Sequence, residues 1–349
     1  MRATAMSLLG ACLIVAPASA RAAPPAAVAL PGGEHGIGFD DLRFDADLGQ
    51  VLAPAGATGN LNLVDPKTGA VTSIGGFART AGGGEGHGHG VTSVDSGEGW
   101  LFATDRTARA LVVVDPRARK IVGRAPLAGG PDYVRYVAAT RELWVTEPGD
   151  ARIEVFALSP AAQISKDKAP VPAHAAFIPI RGGPESLVID GKRGRAYTHR
   201  WKRETVAVDV RARRIAATWS AGCAAPRGIA LDEARRILLV GCDGGEATAL
   251  DVEHDGKLLS VAKSGRGVDI IAYDAGRRRL YLPGEESATL AIIDVDVVRG
   301  PAGSQGVALT VRGTVPTVAG AHCATTDGRG TVFVCDPARG RLLVIRDPY

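Results

Sequence analysis

Apolar and polar residues alternate along short stretches of this chain, and each stretch ends in a turn rich in glycine, aspartate or arginine. Residues 186–190, Ser-Leu-Val-Ile-Asp, read as a strand; Gly-Lys-Arg-Gly turns the chain, and Arg-Ala-Tyr-Thr at 195–198 returns it. A third run at 205–208 and a fourth at 215–219 complete a four-strand unit. Other second and third strands, at 111–114, 237–240 and 290–293, are apolar at every position. Strands apolar on both faces need cover on both sides, so the units must stack against one another.

The units recur. Asp65, Asp115, Asp209, Asp251 and Asp294 end third strands at steps of 50, 94, 42 and 43 residues, the long step spanning two units with a degenerate copy near Ala157. A second series, Asp45, Asp95, Asp190, Asp232, Asp274 and Asp327, runs in parallel. Such a period belongs to a four-stranded propeller blade. Blades starting near Ile37, Gly90, Tyr133, Glu185, Arg227, Asp269 and His322 number seven. The expected fold is therefore all-β: a seven-bladed β-propeller of four-stranded antiparallel blades. The last blade has three strands before the chain ends, and 27–33 resembles 124–130, the outer strand of blade two. An N-terminal strand is thus expected to complete the last blade and close the ring. Two long connections, 159–176 and 295–312, read as solvated loops.

The repeats run without a linker, so 23–349 are expected to form one domain. Ahead of them, 1–22 read as a signal peptide: Arg2, an apolar run at 5–15, then small residues at Ala18-Ser19-Ala20 or Ala20-Arg21-Ala22. Leu9-Gly10-Ala11-Cys12 has the look of a lipoprotein box, but too few apolar residues precede Cys12. The expected location is the periplasm or the exterior. No later segment is long and apolar enough to cross a bilayer. Of the remaining cysteines, each pair brackets one hairpin, which favours Cys223–Cys242 and Cys323–Cys335 among three connectivities. Four reduced thiols are the alternative, and zinc would want a Cys-x-x-Cys that is absent. The formal charge of +4 points away from nucleic acid.

Setting the inner strands in register by their closing aspartates places Asp40, Gly90, Tyr133, Glu185, Arg227, Asp269 and His322 at one rim, with His89 beside the glycine. Loops leaving second strands add Asp105, Glu147, His199, Arg200, Asp243 and Glu285. Two positions along, Leu187, Ile229, Ile271 and Ala324 are apolar, so the polar ring is local. Imidazoles, carboxylates and an arginine together suit a polar ligand or a divalent metal. The ligand-binding candidates are His89, Tyr133, Glu185, His199, Arg227, Asp269 and His322. For a metal they are His87, His89 and His322, the first two pointing the same way from an extended loop, with Glu185 and His199 as further donors. The competing reading is a wet rim with no ligand. The opposite face gathers arginine turns at 117–120, 192–195, 211–214, 235–236 and 277–279. These suit an anionic envelope surface, or serve only as solvated turns.

Second strands ending Phe102-Ala103-Thr104-Asp105, Trp144-Val145-Thr146-Glu147 and Ala196-Tyr197-Thr198-His199, with third strands such as Val112-Val113-Val114-Asp115-Pro116, resemble the YVTN-type propeller proteins. Those are exported seven-bladed propellers named for a Tyr-Val-Thr-Asn run, and no complete copy of that run occurs here. The resemblance covers most of 23–349 and implies the fold. Its activities range over binding scaffolds, lactonase-like enzymes and relatives of haem-carrying reductases. Gly-x-Ser-x-Gly, His-Glu-x-x-His, a phosphate loop and Cys-x-x-Cys-His are all absent. The expected function is an exported, monomeric scaffold holding a small-molecule or protein ligand at the channel mouth, with no catalytic residue assigned. The alternative is a metal-assisted, lactonase-like hydrolase with His89, Glu185 or His322 as ligand or base.

Overall fold

The aspartates that mark the repeat are turn caps. Asp190, Asp232 and Asp274 accept the backbone N–H of Arg193, Arg235 and Arg277 at 3.0, 2.9 and 3.0 Å. In the other series, Asp115 takes the amides of Arg117 and Ala118, and Asp209 that of Ala212. A carboxylate that satisfies turn amides fixes where each hairpin reverses, and so fixes its register. The turns are tight enough that Arg119, Arg213, Arg236 and Arg278 adopt φ of 56, 51, 64 and 54°, a conformation that costs a side-chain-bearing residue free energy and persists here under the cap.

A computed structural model of the protein describes residues 25–80, 88–163, 168–299 and 305–349. Among these the strands form seven antiparallel sheets of four. Blades one to six occupy 43–74, 91–126, 134–179, 185–220, 226–263 and 272–316. Blade seven takes three strands from Ala324–Thr326, Thr331–Asp336 and Arg341–Arg346, and its outer strand, Ala26–Ala29, from the other end of the chain. Ala26 faces Val344 and Ala29 faces Arg341, which is the expected closure. Just past the closing strand, Gly33 and Gly340 approach with no room for a side chain at either. Leu111 to Val114 and Ile237 to Val240 are wholly buried, each sheet being covered by both neighbours. Disulfides join Cys223 to Cys242 and Cys323 to Cys335, with Cα separations of 6.5 and 5.6 Å.

One expectation fails. The 295–312 connection is not a solvated loop: the third and fourth strands of blade six run on as Thr289–Arg299 and Gln305–Pro316. Val295 and Val307 are buried, and the Leu309 amide donates to Ser260 Oγ of blade five at 3.1 Å. The apolar alternation of Val295, Val297, Val307 and Leu309 was itself a strand signal, masked by the glycine and proline between its two arms. The 159–176 connection is shorter than expected for a related reason, its strand already beginning at Pro172. The segment 1–22, expected to be a signal peptide, and His87 lie outside the described residues. Within them no helix is long and apolar enough to cross a membrane.

Candidate functional site

Bulges aim the inner strands at the channel mouth. In blade four the pairing slips between Glu185 and Val188 with Ser186 at φ 57°, and in blade five it slips between Pro226 and Gly228. An irregularity at a strand's end re-aims its side chains, and Glu185 and Arg227 both line a cavity of about 430 Å³. Six carboxylates face it, from Asp40, Asp132, Glu185, Asp243, Asp269 and Glu285, against two arginines, Arg106 and Arg227. Arg106 is held in place: Nη2 donates to Asp40 at 2.9 Å and Asp132 at 2.5 Å, and Nε to the Pro131 carbonyl at 2.7 Å. Burial above all, and for Asp40 then the charge of Asp132, raises both above the usual range.

Glu185 is pushed up to about 8, by burial first and then by Asp132 and Asp269; the Trp201 indole N–H at 2.5 Å and Arg227 at 3.5 Å work against that. Burial also raises Asp269, whose Oδ1 has no hydrogen-bond partner among the described residues. At neutral pH Glu185 therefore keeps its proton for most of the time and is able to donate as well as to accept. Beneath it lies a septum. Tyr133 lines this cavity and a second of about 550 Å³ on its far side. The Arg135 guanidinium sits 5.2 Å from the Tyr133 ring centre, grips Asp41 of blade one at 2.6 and 3.0 Å, and donates to the Leu187 carbonyl of blade four at 2.9 Å. Ser93 of blade two also donates to Asp41, at 2.6 Å. The mouth is thus a cup with a floor, built from four blades and one buried ion pair.

No family model and no curated protein matches the chain. Solved structures do. Hydrazine synthase of Kuenenia stuttgartiensis superposes with a TM-score of 0.70 at 13% identity, covering 96% of this chain and 99% of that one. A chain of the mitotic checkpoint complex gives 0.70 at 12%, covering 99% and 98%. The Cps50 (Swd1) β-propeller domain of Myceliophteria thermophila gives 0.64 at 11%, covering 91% and 98%. The likeness is to the seven-bladed fold alone.

Four of the seven ligand-binding candidates, Tyr133, Glu185, Arg227 and Asp269, line the cup, as does Asp40. The histidines do not. His322 is buried with Nδ1 2.7 Å from the Gly320 carbonyl oxygen and Nε2 3.0 Å from that of Phe39, so it ties blade seven to blade one and neither nitrogen is free for a metal. His199 is fully buried with Nδ1 3.0 Å from the Thr205 hydroxyl; burial pushes it down to about 4, which keeps it neutral. His89 is exposed and outside the cavity lining. At Gly90 a side chain would overlap the Gly56 carbonyl, because the backbones of blades one and two cross there. Among the described residues the one convergent group of metal-type ligands is His322, Cys323 and Cys335, whose sulfurs are joined to each other.

Of the strand-exit residues, Asp243 and Glu285 reach the cup, whereas Asp105 and Glu147 are buried anchors for the amides of Ala78, Ala108 and Gly129. Arg106 and Asp132 were missed by one residue each, being neighbours of Asp105 and Tyr133 in segments already assigned to the rim. The opposite face is less cationic than its sequence suggests. Arg193, Arg235, Arg236, Arg277, Arg278 and Arg279 each have a carboxylate within 4.0 Å.

Proposed function

We propose that the protein is an exported propeller of the YVTN type that serves as a binding scaffold, its signal peptide at 1–22, holding a ligand or a segment of a partner protein in the cup at its channel mouth. The observation that carries this reading is the six-to-two excess of carboxylates over arginines in a cavity with a closed floor. The guest this suits carries positive charge, as an ammonium or guanidinium group. Such a guest displaces the protons that Glu185 and its neighbours hold, so binding tightens as pH rises toward 8. Propellers commonly bind in or over the channel, and the fold neighbour from the mitotic checkpoint complex comes from a multi-protein assembly. The metal-assisted hydrolase is the weaker reading, because both His322 nitrogens are spent on carbonyls.

Calorimetric titration with size-matched amines, guanidines, neutral alcohols and carboxylates tests it. Cations should bind, with E185Q and D269N each weakening them at least about tenfold, roughly 1.4 kcal/mol. Equal binding of the carboxylates, or variants that bind cations as the wild type does, would end the proposal.

A further inference from the structure

We propose that the seam between blades one and seven, on the face opposite the cup, is a second site that takes an organic anion bearing a phosphate group. Every other seam on that face is stitched by side chains from the two blades it joins. Arg43 of blade one pairs with Asp95 of blade two at 3.1 Å, and Arg141 of blade three with Glu98 of blade two at 2.6 Å. Arg213 pairs with Glu142 across blades four and three, Arg193 with Glu253 across four and five at 2.9 Å, and Arg279 with Asp347 across six and seven at 2.8 Å. Blades five and six are joined by the Tyr273 hydroxyl donating to Asp232 at 2.7 Å.

Between blades one and seven the pattern stops. Lys67 from blade one and Arg329 and Arg346 from blade seven surround a cavity of about 620 Å³. None of the three has a carboxylate within 4.0 Å among the described residues. Asp65 and Asp327 also line the cavity, but each commits Oδ1 to two amides of its own turn, at 2.8 and 3.0 Å in both cases. What the seam lacks is the side-chain pair that joins the two blades at each of the other six seams.

The chemistry of the guest follows from what surrounds it. Two guanidinium forks and an ammonium match the several oxygens of a phosphate better than a single carboxylate, since each fork can donate two parallel hydrogen bonds. With two carboxylates nearby the net charge is only slightly positive, so recognition rests on that fork geometry. Half-buried Phe44, Leu48 and Pro66 line the same cavity and give an organic body an apolar wall. Its volume is that of a small-molecule pocket. A guest held by Lys67 on one side and Arg329 and Arg346 on the other would bridge blades one and seven, and so stabilise their contact.

The test uses the whole mature protein with phenyl phosphate, inorganic phosphate and benzyl alcohol as probes. Phenyl phosphate should bind more tightly than inorganic phosphate, benzyl alcohol should not bind, and the melting temperature should rise with the logarithm of phenyl phosphate concentration. The R329A/R346A pair should weaken binding at least about tenfold, while K120A on the same face and E185Q in the cup should leave it unchanged. Co-sedimentation with vesicles containing phosphatidic acid, lost in the same double variant, would mark a lipid headgroup as the source of the phosphate; binding of the free probe alone would mark a small molecule. Absence of phenyl phosphate binding at millimolar concentration, or wild-type affinity in a double variant that melts normally, would overturn the proposal. The E185Q arm separates this outcome from failure of the cup as a site.

Discussion

The cup and the turns on the opposite face are made from the same residues, aspartate, glutamate and arginine, and they behave in opposite ways. Backbone amides hold Asp65 and Asp209 below the usual carboxylate range, and the Arg193 and Arg236 guanidiniums do the same to Glu253. Burial and mutual repulsion hold Asp40, Asp132, Glu185 and Asp269 above it. The sign of linkage therefore differs. A lowered carboxyl contributes stability that is present above its unfolded value and is lost as pH falls through its folded one. A raised carboxyl does the reverse: the folded state keeps a proton that the unfolded state has released, and stability falls as pH climbs between the two values. Residues that repeat with the blade period serve the hairpins, and residues that break the repeat serve the cup.

The sharpest way to break this comparison is to remove one charge from each region. Arg135 is buried with both Nη atoms on Asp41, so R135M leaves a buried carboxylate without its partner. The expected cost is about 3 to 5 kcal/mol. Arg195 pairs with Asp209 at 2.6 Å on the turn face with both side chains partly in water, and R195M should cost no more than about 1 kcal/mol. Urea denaturation of the two variants gives the ratio. Equal losses would mean that the septum is no more buried in solution than the turns.

The next largest effect lies in the cup itself. Because Glu185 rises from 4.5 to about 8, the wild type should lose stability as pH goes from roughly 4.5 to 8. E185Q keeps an oxygen for the Trp201 N–H and cannot ionise, so it should be more stable than the wild type at pH 8 and close to it at pH 5. The difference should be on the order of 1 to 2 kcal/mol, less than the shift alone implies because neighbouring carboxyls take up released protons. Melting temperatures of both proteins at pH 5, 6.5 and 8 would show the curves converging on the acid side. Parallel curves would place Glu185 in water.

Much of the fold was legible because turn chemistry repeats. An aspartate that caps its own turn leaves the same mark in several blades, and the spacing of these marks fixes the count, the strand order and the closure. The long arm of blade six carried a strand signal in its apolar alternation, but the glycine and proline between its two arms masked it, and packing of Val295, Val307 and Leu309 against blade five reveals it. Five of the seven ring positions were found by register alone. His322 and His199 were misplaced because register says where a backbone lies and not which way a ring turns. His322 turns to the Phe39 carbonyl and His199 to Thr205, away from the cup in both cases. Arg106 was passed over because its partners, Asp40 and Asp132, come from blade one and the entry to blade three, a convergence that no local pattern encodes.

The smallest effect belongs to the turn caps, and it separates hydrogen bonding from charge. Asp209 accepts the Ala212 amide at 2.8 Å and the Arg195 guanidinium at 2.6 Å. D209N keeps an oxygen for the amide but loses the charge, and D209A loses both. At neutral pH D209A should melt roughly 1 to 2 °C below the wild type, with D209N between them, because the asparagine side chain can still close the turn. In acid the order should compress. As pH falls through the folded value of Asp209, the wild-type carboxylate is protonated and its advantage over D209N disappears, which is opposite in direction to the behaviour of E185Q. A melting series from pH 7 downward, carried well below the usual carboxylate range, reads this directly. A gap between the wild type and D209N that does not narrow anywhere in the series would show that charge at the turns plays no part, and that the contrast between the two faces of the ring rests on the cup alone.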